Sequence, residues 1–240
     1  MQSGIYVAIS SQRALDKRMN TIADNVANVG TIGFRATEVK FEDLVSGLGE
    51  TSVSFASAGD TYLSTKLGPV RQTGNPLDFA VQGDAWFGIE TPAGPVMTRD
   101  GRFKMLNNGD LVTLEGYPVL DAGGAPIQLN PNGGAPEAGA DGMLHQDGQP
   151  MGAIGLFDFQ PGPNFQRYGN SGVVPFGAPE PIVDRIDVGV AQGFLEDSNV
   201  NPVLEITRLI QVQRAFEHVS GLIRDSESAL DQAITALGPR

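Results

Sequence analysis

Hydrophobic and polar positions fall into a repeating order at both ends of this chain. Met1, Ile5, Ala8, Gln12, Leu15, Met19, Ile22, Val26 and Val29 recur at intervals of four and three, with Gln12 the one polar member. Arg13, Asp16, Lys17, Arg18 and Asp24 lie between them. That spacing predicts a helix with one narrow apolar stripe and a wet remainder. At about 1.5 Å per residue it spans roughly 40 Å, and it needs a partner for its stripe. A second seam runs through Leu209, Val212, Phe216, Val219, Ile223, Ser226, Leu230, Ala233 and Leu237. Two such seams predict terminal helices that pack together within a chain, between neighbouring subunits, or both.

Between them the periodicity changes. From about Gly68, short runs of β-branched and aromatic residues alternate with turn dipeptides: Leu77 to Val81, Ala85 to Glu90, Val96 to Arg99, Arg102 to Leu106, Leu111 to Leu114 and Tyr117 to Asp121. Asp100-Gly101 and Asn108-Gly109 are among the dipeptides that separate them. Turns every ten residues or so, with no helical stretch between, predict antiparallel pairing rather than βαβ units. Ile154 to Phe159, Ile182 to Val190 and Gln192 to Glu196 continue the pattern, while 130–142 and 160–172 read as long loops. Gly30 is placed to cap the first helix, Asp197-Ser198-Asn199 to cap the second, and Pro202 suits an early helical position. The predicted fold class is therefore α+β. Two heptad helices form a coiled-coil-like layer (1–45 and 197–240), a linker covers 46–70, and an antiparallel β-rich domain covers 71–196.

Composition narrows the function. Gly (31) and Pro (16) together make about a fifth of the 240 residues, above the usual share of about 12%, and they concentrate in the middle. A net charge of −12 argues against nucleic acid and against direct contact with anionic lipid. No apolar run approaches the eighteen or so residues of a membrane span, and no basic region precedes Ile5 to Ile9 as in a cleavable signal peptide. With no cysteine, disulfide scaffolds, thiol catalysis and thiolate metal sites are excluded.

Catalytic chemistry finds little support. His145 and His218 read as loop and helix-surface residues, and no nucleophile elbow, HExxH pair, phosphate loop or dinucleotide fingerprint occurs. Asp197, Asn199 and Asn201 imitate the start of a calcium loop. Pro202 stands where that loop needs Gly, however, and Arg208 where it needs Glu. Trp86 and Phe87 sit in an apolar run and read as core. The expectation is no enzyme, no metal and no cofactor.

Four separated stretches carry a resemblance. Asn25-Val26-Ala27-Asn28-Val29-Gly30-Thr31-Ile32-Gly33-Phe34-Arg35 is similar to the N-x-A-N-x-x-T-x-G-F-[KR] motif of bacterial flagellar axial proteins, the rod and hook family. Thr73 to Gly83, Thr98-Arg99-Asp100-Gly101-Arg102-Phe103 and Gly193 to Val200 resemble further motifs of that family, in order. The resemblance implies a structural subunit of the flagellar basal-body rod. The proximal rod is the nearer type, with the distal rod the alternative and a β-domain binding module with oligomerisation helices more remote. It implies self-assembly through the terminal helices, with other rod proteins as homo- and hetero-oligomeric partners, and torque passed toward the distal rod and hook. Leu15, Met19, Ile22, Asn25, Val26 and Asn28, with Leu209, Val212, Phe216 and Ile223, are the expected subunit contacts. Pairing within one chain would use the same residues. It implies residence in the periplasmic part of the basal body after type III export without a cleaved signal. Phe41 and Val45 resemble the export motif, although packing under the β domain would explain them equally.

Overall fold

The computed structural model describes residues 2–46, 53–57, 59–183 and 185–237. The chain divides into two units. One comprises Met1–Ala27, Thr37–Tyr62 and Asn201–Arg240, and the other Asn28–Ala36 and Leu63–Val200.

Among the described residues the helical unit holds α1 (Gln2–Ala27), four strands and α2 (Pro202–Leu237). The strands are β1 (Thr37–Lys40), β2 (Asp43–Ser46), β3 (Val53–Ala56) and β4 (Asp60–Leu63). β1 pairs with β4, and β2 with β3. Strands β3 and β4 occupy sequence whose Ser, Thr and Gly content reads as linker. Strand pairing satisfies a backbone that the side chains alone do not mark.

α2 starts at Pro202, and its cap is Asn201 rather than Asp197-Ser198-Asn199. The Asn201 side chain accepts from Leu204 N at 3.1 Å, and its carbonyl from Glu205 N at 3.0 Å. Pro202 then occupies the first helical position, where a missing N–H costs nothing. α1 stops at Ala27, three residues before Gly30, and the left-handed backbone falls instead at Gly33 (φ 68°). Val29, expected on the seam, lies beyond the helix in a turn and is exposed.

The β unit is built from antiparallel pairs. β5 (Val70–Gln72), β6 (Phe79–Gln82), β7 (Trp86–Thr91), β8 (Gly94–Thr98), β9 (Phe103–Met105) and β10 (Leu111–Thr113) come first. β11 (Glu137–Ala138), β12 (Met143–Gln146), β13 (Gln149–Ala153) and β14 (Leu156–Asp158) follow. β15 (Gln166–Tyr168), β16 (Gly172–Val174), β17 (Glu180–Pro181), β18 (Gly189–Gln192) and β19 (Phe194–Glu196) complete it. Among the described residues the largest sheet runs β15-β16-β8-β7-β14-β17. β18 pairs with β6 and β19 with β5, so the end of the unit closes on its beginning.

Two expected loops contain strands. β11 lies within 130–142, and β15 forms a hairpin with β16 out of 160–172. His145 is accordingly a half-buried strand residue, not a loop residue, whereas His218 is exposed on α2.

The core of the β unit gathers Phe79, Phe87 and Phe103 with Leu111, Val119, Ile127, Leu144 and Leu156, all at most 6% exposed. The Phe103 ring lies 5.9 Å from Phe79 and meets Phe87 edge-on at 5.4 Å. Gly101 lets the Asp100-Gly101 turn approach β6: a Cβ there would fall 1.7 Å from the Phe79 carbonyl oxygen. Backbone rather than a movable side chain blocks the space. Gly101→Ala is therefore expected to cost about 3 kcal/mol or more, read as a lower urea midpoint. An unchanged midpoint would show that the turn can back away from β6.

Candidate assembly surface

α1 has two packed sides, and only one is apolar. Its heptad seam faces α2 of the same chain, where Ile22 and Val212 are buried. Leu15, Met19, Val26, Leu209, Phe216 and Ile223 are half-buried there. Gln12, the polar seam member, donates to the Ser220 hydroxyl at 3.3 Å, so the two helices match polar to polar.

The second side consists of Ala14, Lys17, Thr21 and Asn25, again spaced three and four apart, and α1 packs on β1 and β3. Lys17 Nζ donates to the Gly59 carbonyl at 2.5 Å. Asn25 is 3% exposed and treats β1 as a strand partner would, donating to Thr37 O and accepting from Thr37 N, both at 2.9 Å. Its amide is thereby committed within the chain. Phe41 is half-buried with its ring against Gly59, while the side chain of Val45 lies outside the described residues, as do Met1 and the side chains of Leu230, Ala233 and Leu237.

A further stripe on α2 faces solvent. Val203, Ile206 and Ile210 are exposed by 74%, 47% and 46%. At about 100° per residue they share one face, turned well away from the Glu205, Leu209, Val212 and Phe216 side. Such a stripe, on a helix whose other side is already packed, is a candidate contact surface.

In the β unit, residues 28–36 are held from three directions. The Thr31 hydroxyl donates to Asn28 Oδ1 at 3.1 Å, and Gly33 N donates to Glu196 O at 2.8 Å. A Cβ on Gly33 would lie 2.3 Å from Asp100 N, so this position needs glycine for closeness as well as for its positive φ. Phe34 is buried beneath the Arg167 guanidinium, 4.3 Å from its ring centre. Asn199, which the sequence suggests as a helix cap, instead accepts from Ala36 N at 2.8 Å and donates to Lys66 O at 2.7 Å.

Arg35 and Arg99, 2% and 1% exposed, share the carboxylate of Glu196, itself 2% exposed. Arg99 Nε bonds Glu196 Oε2 at 2.5 Å, and its other nitrogens donate to the carbonyls of Val81, Gly83 and Ala85. Glu196 Oε1 accepts from Gly68 N at 2.9 Å and lies 3.3 Å from Arg35 Nε, an ion-pair distance without hydrogen-bond alignment. Nε and Nη2 of Arg35 make no hydrogen bond. Burial first, and the like charge of Arg99 second, pull the Arg35 pKa below its usual value, with Glu196 opposing. Among the described residues no group of His, Asp and Glu could hold a metal ion. Nor is any helix long and apolar enough to cross a membrane.

Terminal helices that pair, an antiparallel β unit between them in sequence, and an apolar stripe left on α2 define an α+β protein. Its candidate site is a helix face, not a cleft. Comparison with known proteins gives the family. Residues 5–35 match the model of flagella basal body rod proteins, and residues 80–146 that of the flagellar hook protein FlgE/F/G D1 domain. Residues 191–236 match the C-terminal model of flagellar basal body rod FlgEFG proteins. The chain is 65% identical to the flagellar basal-body rod protein FlgF of Mesorhizobium japonicum, over all of both chains. It is 57% identical to the FlgF of Rhizobium meliloti over 99% of each, and 31% identical to the flagellar basal-body rod protein FlgG of Bacillus subtilis over 98% of each. The chain belongs to the flagellar basal-body rod protein family.

The ion network makes an asymmetric prediction. Glu196→Gln leaves two buried guanidinium groups without an anion and should cost about 3–5 kcal/mol in urea unfolding. Arg35→Met removes the poorly bonded charge and should cost less than about 2 kcal/mol. Equal losses would show that Arg35 carries as much of the stability as the carboxylate does.

Proposed function

We propose that this protein is a structural, non-enzymatic subunit of the proximal rod of the flagellar basal body. It assembles through its terminal helices with copies of itself and with other rod proteins, and it passes torque toward the distal rod and hook. The observation that carries the assembly role is the exposed stripe of Val203, Ile206 and Ile210 on a helix already packed along its other side. Full-length identity of 65% and 57% to proteins named FlgF, against 31% to one named FlgG, supports the proximal over the distal position. The seam residues Leu15, Met19, Ile22, Val26, Leu209, Val212, Phe216 and Ile223 then hold α1 on α2, and the outer stripe meets the neighbour. A face of one subunit that meets a different face of the next builds an open helical array, as a tube requires.

Ile206→Lys combined with Ile210→Lys tests this reading. Both positions already face solvent, so the thermal midpoint should stay within about 2 °C. Electron microscopy of basal bodies from cells carrying only this variant should show the rod interrupted and the hook absent. Intact rods would remove the stripe from the assembly surface. A strain lacking the gene should keep the membrane ring and export apparatus while losing the distal rod and hook; a retained proximal stub would favour the distal position.

We further propose that the chain reaches the periplasmic part of the basal body through the flagellar type III export apparatus, with Phe41 and Val45 read by the export gate before folding. The support is the motif spacing. In the folded chain Phe41 packs on Gly59, so the two roles belong to different states. Phe41→Ala should lower the secreted fraction at unchanged cellular level, measured by immunoblot of culture medium against cells. Normal secretion with a defective rod would reject the export role.

A further inference from the structure

A recess of about 330 Å³ opens on the β unit, and none of the residues discussed above as assembly or export contacts lines it. Its wall is a tyrosine pair: the Tyr117 and Tyr168 rings meet edge to face at 5.8 Å, and their hydroxyls bond at 3.0 Å. Ile89 contributes apolar surface, and the Thr98 and Ser171 hydroxyls, themselves 3.2 Å apart, contribute a polar edge. Glu115 and Asn170 stand at the rim, and neither side chain makes a hydrogen bond or ion pair among the described residues.

The charges around the recess restrict what it can take. Asp100, also in the lining, is occupied by Arg102, which donates to both carboxylate oxygens. Arg167 is stacked on Phe34 and Phe165 and bonded to backbone carbonyls, and Lys104 is held on the Leu114 carbonyl. Among the described residues no free cation therefore faces the recess, which makes a phosphate or carboxylate ligand unfavourable. A hydroxyl-rich lining equally disfavours a purely apolar ligand, whose binding would strip water from these groups without replacement. A cation would have Glu115 as its main attraction. That carboxylate is exposed, so its field is screened and contributes little.

Aromatic rings beside neutral donors and acceptors suit a ligand with C–H faces and several hydroxyl groups. We propose that this recess binds a neutral saccharide, one or two sugar rings of a glycan strand. A sugar face lies on the part of the half-buried tyrosine pair that lines the recess, and its hydroxyls exchange hydrogen bonds with Glu115, Asn170 and the Ser171 edge. A site of this size sits at the lower end of small-molecule pockets, which limits the bound length.

The test is a titration of the full-length chain, isotopically labelled, with chitotetraose and with cellotetraose, read as NMR chemical-shift changes, with pentalysine as the cationic comparison. Saturable shifts confined to residues around Tyr117 and Tyr168 are expected by about 20 mM of at least one saccharide, a millimolar affinity. Tyr117→Ala should weaken binding more than about tenfold, or about 1.4 kcal/mol. Asn170→Ala, a change at an exposed side chain that leaves the wall intact, should weaken it several-fold and guards against a folding defect in the tyrosine variant. Glu115→Gln should alter saccharide affinity by less than about threefold, because an amide still accepts and donates. Absence of saturable shifts with both saccharides, or shifts that survive Tyr117→Ala and Asn170→Ala, would overturn the proposal. So would tight pentalysine binding that Glu115→Gln abolishes, which would make the recess a seat for a basic protein segment.

Discussion

A single carboxylate placed between two buried guanidinium groups ties distant segments of the β unit together. Burying one unpaired charge is expensive, and here two cations and one anion leave a net positive charge inside. Arg99 meets that cost through backbone carbonyls of the β6–β7 connection, while Arg35 is left with a distant Ser64 carbonyl at 3.4 Å and the ring of Trp86 at 5.6 Å. Glu196 therefore does not simply add an ion pair. It decides whether residues 28–36, the β6–β7 connection and strand β19 can occupy one place together. Its backbone carbonyl accepts from Gly33 N, and its Oε1 from Gly68 N, so one residue fixes three segments far apart in sequence.

That arrangement gives the motif residues physical meanings. The glycine of Thr31-Ile32-Gly33-Phe34-Arg35 is required by close backbone approach and a positive φ, the phenylalanine is buried under Arg167, and the arginine lies at ion-pair distance from Glu196 without a hydrogen bond to it. The threonine fixes its turn through Asn28. Asn25, in the same motif, serves the helical unit instead, where it supplies β1 with the two hydrogen bonds of a missing strand.

The helices were legible because a spacing of three and four survives any tertiary detail, and the α+β class followed from the change of period near Gly68. The second side of α1 was not legible. Its members Lys17, Thr21 and Asn25 are polar; Lys17 and Asn25 pack through hydrogen bonds to Gly59 and Thr37 that hydrophobic patterning does not register, while the Thr21 hydroxyl is satisfied by Lys17 O of its own helix. The β15–β16 hairpin was hidden in the same way, because Gln166-Arg167-Tyr168 shows no apolar alternation and Arg167 is ordered by stacking on Phe34 and Phe165. Likewise Gln146, 3% exposed, pins the Asn130 to Gly134 turn by accepting from Asn130 N and donating to Asn130 O and Gly134 O. Arg35, Arg99 and Glu196 each resemble ordinary surface charges in sequence; only the fold brings them together.

The expected assembly residues divide by the same logic. A heptad seam states that a stripe will be covered without stating by what, and here α1 and α2 cover one another. If that seam were the only apolar surface, the helical unit would be complete as a monomer. The stripe at Val203, Ile206 and Ile210 changes this, because it lies on the opposite side of α2 and is absent from the seam that the spacing defines. A helix with two apolar stripes can close one within its own chain and offer the other to a neighbour. In the proposed assembly, intramolecular pairing and polymerisation would use different faces of the same helix, and the first would present the second: α2 held along its seam by α1 keeps its outer stripe ordered and exposed. A solitary helix, with its marginal stability in water, would offer that surface only at the added entropic cost of ordering it.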